Sequence, residues 1–222
     1  RNYSYRFLIT PETIGSIAYI SKNRSTLDRV FAAFNLTCLG DEGQFSFLES
    51  KHGNSYSDFI SKKILDKLNI KYKFYSFRSR GSDERQYSGP LMNIPMVSIM
   101  KSKYHEYAEY HSSKDDLSFI SEKGLSESIN LHYKIISEIE KDSFPISKVT
   151  CEPFLQKRDL YPEISTIKSL NSHKKNLSRL LIDVLTYADG NFSLFQIQEK
   201  LSISLKKLNH IINILYKNKL LK

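Results

Sequence analysis

The chain has 222 residues, of which 40% are hydrophobic and 26% are charged, and its formal net charge is +9. This balance excludes a disordered chain, and the lack of any apolar run of about 20 residues excludes a membrane-spanning protein, so a cytoplasmic location is expected. Its two cysteines, Cys38 and Cys151, lie far apart, which excludes a disulfide framework and a thiolate zinc site.

Short β-rich runs alternate with helical runs up to about residue 140, a pattern typical of an α/β domain with a largely parallel sheet. Candidate strands cover residues 5–9, 30–39, 72–77 and 96–100, and candidate helices cover residues 16–21, 58–68 and 125–141. In the last of these helices, apolar side chains recur at helical spacing and are predicted to face the sheet: Leu125, Ile129, Tyr133, Ile136 and Ile139. We assign residues 1–143 to this domain, and because the chain starts without Met we expect an upstream part.

Residues 144–168 lose the helical periodicity, and Pro145, Pro153 and Pro162 prevent a long helix there. We interpret this stretch as an ordered connector that packs onto the preceding domain, with a domain boundary near Ser169. Residues 169–222 then show three short helical patterns, and Ser193 with Gln196 forms a capping box at the start of the second. This arrangement predicts a helix-turn-helix, and hence a winged-helix-like domain.

Three polar segments could carry chemistry. Glu12 follows the first candidate strand and leads into a helix. A carboxylate at this place can reach a ligand, or it can simply interact favourably with the helix dipole. Asp41 lies in a glycine-bounded acidic turn after the second candidate strand, which suits either a solvated loop or a cation site. His111 lies in a polar loop, and Asp115 could orient its ring as a carboxylate does for a metal-bound imidazole.

The order of these segments resembles a bacterial family of aminopeptidase-like proteins related to the di-zinc aminopeptidases. The resemblance is carried by 11–16 (Pro-Glu-Thr-Ile-Gly-Ser), 40–41 (Gly-Asp), 82–87 (Ser-Asp-Glu-Arg-Gln-Tyr), 93–95 (Asn-Ile-Pro) and 109–117 (Glu-Tyr-His-Ser-Ser-Lys-Asp-Asp-Leu). It implies a three-layer zinc-exopeptidase-like domain with a mostly parallel central sheet, followed by the winged helix.

The resemblance also implies a site. His111 matches a zinc-binding His, Glu12 is a zinc ligand or the general base, and Asp41 is the nearest match to a third ligand, with Thr37 as the alternative position. Asp83, Arg85 and Asp115 would support these residues by holding or orienting them without binding the metal themselves. The implied reaction is hydrolysis of an N-terminal peptide or aminoacyl amide bond by a water that zinc activates. The family draws a His and a bridging Asp from an upstream segment, so this chain alone is expected to be inactive and to hold little zinc.

The C-terminal residues 169–222 carry +6 of the net charge. Lys206, Lys207 and His210 are the candidates for nucleic-acid contact, although domain packing or dimerisation is the favoured role for this region. A homo-oligomer is left open and no membrane partner is expected. The alternative to a hydrolase is a catalytically inactive protein that keeps the hydrolase fold and acts as a binding or regulatory module through its basic winged helix.

Overall fold

The structure is a computed structural model that describes residues 1–160 and 173–222. It divides the chain into two compact units, Arg1–Glu140 and Lys141–Lys222. None of the helices in these described ranges is both long enough and apolar enough to cross a bilayer.

A four-stranded mixed sheet forms the centre of the first unit. Its strands are β1 (Ala33–Asn35), β2 (Phe45–Leu48), β3 (Tyr72–Tyr75) and β4 (Met96–Met100), in the order β1-β4-β2-β3. The β1–β4 and β2–β3 pairs are parallel and the β2–β4 pair is antiparallel. The α/β class predicted from the sequence is confirmed, with a sheet that is mixed.

The first candidate strand, at residues 5–9, is absent from the sheet. A strand needs a neighbour to hydrogen-bond with, and this segment is held differently: the Tyr5 hydroxyl donates to Glu140 at 2.5 Å. The side chain of Ile9 is fully exposed. The prediction of a strand before Glu12 was therefore wrong for the described chain, whereas β2 was not predicted at all.

Four helices surround this sheet: α1 (Ile14–Leu27), α2 (Tyr56–Lys67), the single-turn α3 (Glu84–Tyr87) and α4 (Glu122–Ile139). Helix α2 begins with a capping box, in which Ser55 and Asp58 satisfy each other's backbone N–H groups. Asp58 also accepts hydrogen bonds from the backbone and hydroxyl of Ser50, so the loop after β2 is fixed to the start of the helix.

Helix α4 buries a face that includes Ile139, as predicted, but otherwise differs from the predicted face. Leu125, Ile129 and Tyr133 are 40%, 65% and 69% exposed. The buried positions are Gly124, Ser128, Leu131, Ile135 and Ile139. Small residues decide this rotation: a Cβ on Gly124 would lie 2.3 Å from the Gly40 carbonyl oxygen, and the Ser128 hydroxyl donates to the Leu39 carbonyl.

The second unit contains α5 (His173–Tyr187), α6 (Leu194–Lys200) and α7 (Leu205–Lys217). The expected boundary at Ser169 lies outside the described residues. The described part of the expected connector belongs to this second unit: Ile146 and Ser147 form antiparallel bridges with Asp189 and Leu221. Leu160 packs against the core of the same unit.

The turn between α6 and α7 completes the expected helix-turn-helix. Ser193 and Gln196 form the predicted capping box of α6, and the Ser204 hydroxyl accepts from the Lys207 N–H at the start of α7. The sequence of α7 predicts a buried stripe at helical spacing, made of Leu205, Leu208, Ile212 and Leu215. Leu208, Ile212 and Leu215 are buried, whereas Leu205 is 39% exposed and Ile211 also takes part in the core.

Candidate functional site

Glu12 lies in a strained turn. The Ile14 N–H donates to the Glu12 carbonyl at 2.7 Å, and Thr13 between them has φ 63° and ψ −65°. This is the rare form of the γ-turn, and a β-branched residue at positive φ is an outlier. The chain then reverses closely at Gly15, where a Cβ would lie 2.5 Å from the Thr10 Cβ. The Glu12 carboxylate is thus presented at the head of α1 by an unusual backbone conformation.

Asp83 and Arg85, predicted to support the site, both contact this turn. The Asp83 carboxylate accepts a hydrogen bond from the Thr13 N–H at 2.8 Å, and the Arg85 guanidinium donates to the Thr13 hydroxyl at 2.7 Å. Asp83 is half-buried and Arg85 is exposed. The structure therefore brings three of the predicted site residues together around Thr13.

Glu84, which lies between Asp83 and Arg85, is a residue that the sequence reasoning missed. Its side chain is fully buried, and one carboxylate oxygen accepts from the Gly81 N–H, the Ser82 N–H and the Tyr104 hydroxyl, at 2.8, 3.0 and 2.8 Å. The other oxygen accepts from Asn35 of β1 at 2.8 Å and from Ser98 of β4 at 3.5 Å. A buried carboxylate must be hydrogen-bonded, and here those bonds fasten the segment that carries Asp83 and Arg85 to the sheet.

His111 lies in an aromatic cluster formed by residues 104–111. Its ring stacks on Tyr110 with centroids 3.9 Å apart, and His105 packs edge-on against Tyr110 at 4.6 Å. His105 and His111 both have positive φ, at 68° and 54°. Backbone strain of this kind often accompanies functional sites.

Tyr110 connects the two halves of the predicted site electrostatically. Burial raises the pKa of its phenol above the ordinary value, the negative charge of Glu12 raises it further, and Arg85 opposes the change. A tyrosine phenol is protonated at neutral pH even without this shift, so it can donate a hydrogen bond.

Two predicted roles find no support in the contacts. Asp41 is 5% exposed, and it accepts from the Gly43 N–H at 2.7 Å and from the Ser102 hydroxyl and N–H at 2.7 and 3.1 Å. These bonds occupy both carboxylate oxygens and tie the loop after β1 to the loop after β4. Asp115 accepts from the Tyr107 hydroxyl at 3.5 Å and does not hold the His111 ring.

The described residues do not fit a complete zinc site. Residues 1–160 and 173–222 contain no group of three or more His, Cys, Asp or Glu side chains that could hold a metal ion. Tetrahedral zinc needs about four donors. His111 is exposed and available, but Asp41 already uses its oxygens to fix a loop, so His111 and Glu12 alone would be too few donors for such a site.

The exposed face of α7 is basic. Lys206, Lys207 and His210 are all exposed. Residues 200–222 contain six Lys and no acidic residue. A positively charged second helix of a helix-turn-helix can contact phosphates or an acidic protein surface.

Comparison with known proteins agrees with this two-part organisation. Residues 1–142 match a family model described as "Domain of unknown function (DUF4910)", and residues 145–222 match a winged helix-turn-helix model. A Clostridium acetobutylicum protein, whose name assigns it provisionally to polysaccharide biosynthesis and gives it an aminopeptidase-like domain, is 34% identical over 221 residues. That alignment covers 99% of this chain and 50% of the relative.

Two solved structures resemble the chain to different extents. The crystal structure of a Clostridium acetobutylicum protein described provisionally as a peptidase matches with a TM-score of 0.65 and 32% identity, over 99% of this chain and 48% of that one. An aminopeptidase from Aneurinibacillus sp. strain AM-1 matches with a TM-score of 0.48 and 17% identity, over 56% of this chain and 30% of that one. The chain spans about half the length of the Clostridium relatives.

The mixed α/β unit is followed by a winged helix-turn-helix, and the chain is similar to a relative that is named for an aminopeptidase-like domain, in agreement with the resemblance. The chain belongs to the DUF4910 family.

Proposed function

We propose that the first unit contributes the catalytic part of an aminopeptidase-like hydrolase that cleaves an N-terminal peptide or aminoacyl amide bond. One observation carries the proposal: Thr13 holds a strained turn beside Glu12, and Asp83 and Arg85 both contact this turn. Such strain needs the support of surrounding contacts and commonly marks functional sites.

The roles of the chain's own residues follow from their chemistry. Glu12 takes a proton from the attacking water and returns it to the leaving amine, which is the role of a general base and then a general acid. The protonated Tyr110 phenol donates a hydrogen bond to the oxygen that becomes negative during attack. Arg85 and Asp83 keep the turn that carries Glu12 in place.

Zinc dependence and the three-layer arrangement are further parts of the proposal. His111 is the candidate nitrogen donor of this chain, and the remaining donors are assigned to a part of the longer protein that these 222 residues do not include. The support is the resemblance of the His111 segment, together with the twofold greater length of the relatives. The cytoplasmic location and the oligomeric state remain predictions.

The proposal is tested with the full-length protein and an aminoacyl p-nitroanilide. Replacing Glu12 with Gln is expected to lower kcat by roughly 100-fold or more, the usual contribution of a positioned acid–base group, and His111→Ala is expected to lower both activity and bound zinc. Asp28→Asn, an exposed change at the other end of α1, serves as the control. The 222-residue chain alone is expected to hold little zinc and to be inactive. Full activity in the Glu12→Gln protein would contradict the proposal.

A second candidate is a non-catalytic protein that binds a partner through the basic face of α7. It is favoured by the six Lys of residues 200–222. Duplex DNA binding, followed by fluorescence anisotropy at several salt concentrations, tests one partner class, and sedimentation tests dimerisation. The double variant Lys206→Glu/Lys207→Glu should weaken either interaction, whereas Lys22→Glu, on α1, should not.

A further inference from the structure

We infer that Asp83 and Arg85 are positioning residues that hold the turn at Thr13, and thereby fix the direction of the Glu12 carboxylate. The inference rests on the proposed role of Glu12. It begins with the backbone of Thr13, whose φ of 63° and ψ of −65° are disfavoured for a β-branched residue. A conformation of this kind persists only when its surroundings stabilise it.

The stabilising contacts reach Thr13 from two sides. Its N–H donates to the Asp83 carboxylate at 2.8 Å, and its hydroxyl accepts from the Arg85 guanidinium at 2.7 Å. Both bonds have a charged partner, and such bonds are stronger than neutral ones. Together they hold both the backbone and the side chain of Thr13, whose dihedral angles set the direction of the chain after Glu12.

Asp83 and Arg85 are themselves held in place through Glu84 between them. The five hydrogen bonds of the buried Glu84 carboxylate reach Asn35 of β1 and Ser98 of β4, besides the loop before α3 and Tyr104. A rigid connection therefore runs from the sheet through Glu84 to the two residues that contact Thr13. A side chain positioned by packed elements is more precisely placed than one on a free loop.

Asp83 has no competing task as a helix cap. It is the N-cap residue of α3, yet its side chain makes no capping hydrogen bond. An Asp at this position usually accepts from the backbone of its own helix. Here the carboxylate is directed instead at a residue 70 positions earlier in the chain, which favours a role in positioning the turn.

Amide hydrogen exchange tests the inference without relying on activity. In Asp83→Ala, exchange of the Thr13 N–H should accelerate by about 10- to 100-fold, the range expected for loss of a hydrogen bond to a charged group. Exchange at Ile60 in α2 should stay unchanged. Asp28→Ala, which removes an exposed carboxylate from the end of α1, is the matched control and should leave Thr13 exchange as it is.

Kinetics of the full-length protein give a second readout. Asp83→Ala and Thr13→Val should lower kcat about 10-fold or more with little change in KM, because the carboxylate is misdirected while the substrate site is kept. Thr13→Ser, which keeps the hydroxyl that Arg85 contacts, should retain most of the kcat that Thr13→Val loses. A double-mutant cycle between Arg85→Ala and Thr13→Val should show coupling.

The outcomes separate the two proposals. If Thr13 exchange and kcat are both unchanged in Asp83→Ala while Glu12→Gln is inactive, the positioning role is overturned and the hydrolase proposal stands. If Thr13 exchange accelerates as expected but even the parent protein cleaves no aminoacyl amide, the positioning contacts are real and the proposed function fails.

Discussion

Glu84 offers a quantitative test of how the candidate site is attached to the sheet. Glu84→Ala would leave the Gly81 N–H, the Ser82 N–H and the Tyr104 hydroxyl without their acceptor in a buried site. Each unsatisfied buried group costs about 1–3 kcal/mol. Allowing for some relaxation, we expect the free energy needed to open the first unit to amide exchange to fall by about 3–6 kcal/mol.

Glu84→Gln should be milder. An amide can keep its oxygen facing the three donors, while its NH2 group faces Asn35, whose own amide can flip to present an oxygen, and Ser98, whose hydroxyl can rotate. The expected loss is about 1–2 kcal/mol, as for one neutral hydrogen bond replacing a charged one.

Amide exchange of Val97 and Ser98 in β4 measures this opening free energy, since the two-unit chain is not suited to a single two-state fit. Glu122→Gln, an exposed carboxylate at the start of α4, is the control and should change stability by no more than about 0.5 kcal/mol. Equal losses in Glu84→Ala and Glu84→Gln, or no loss in either, would refute the reasoning.

Three further predictions concern the helices and pH. Gly124→Ala should destabilise the first unit by about 1–3 kcal/mol despite its gain in helix propensity, because its Cβ would lie 2.3 Å from the Gly40 carbonyl oxygen. Gly89→Ala, whose Cβ would approach the Gln86 carbonyl oxygen only to 3.3 Å, should cost less in the same exchange measurement. Burial lowers the pKa of His132 below 6.5. The neutral His132 side chain therefore contributes fully to stability above pH 6.5, and this contribution is lost as pH falls below that value through the folded-state pKa. His132→Leu should flatten the acid side of a plot of unfolding free energy against pH. Ser193→Ala removes the capping box of α6 and should cost about 1 kcal/mol in the second unit, read from exchange at Ile197; unchanged exchange there would contradict the capping role.

The residues singled out by the resemblance make different kinds of contact in the tertiary structure. Asp83 and Arg85 contact the turn beside Glu12. Burial, and then the negative charge of Glu12, raises the pKa of Tyr110. Asp41 is turned inward to fasten two loops. A carboxylate after a strand can bind a cation or fix a loop, and the contact with Ser102, 61 residues later, is visible only in the tertiary structure.

The sequence by itself determined the features that depend on neighbours within a few residues. The helix-turn-helix, the capping box at Ser193 and the apolar stripe of α7 were all readable, because caps and helical periodicity are set by contacts three or four positions apart. The α/β class followed from the alternation of helical and strand patterns along the chain, which also depend on residues close in sequence.

Only the tertiary structure decided the rest. Residues 5–9 have strand composition but no strand neighbour, and the outward rotation of Leu125, Ile129 and Tyr133 depends on the close approach of Gly124 to Gly40. The strained φ of Thr13 is held by residues some 70 positions away. Contacts of this range leave no local pattern in the sequence, since strand pairing, helix rotation and the support of a strained turn are properties of the packed chain and not of any one segment.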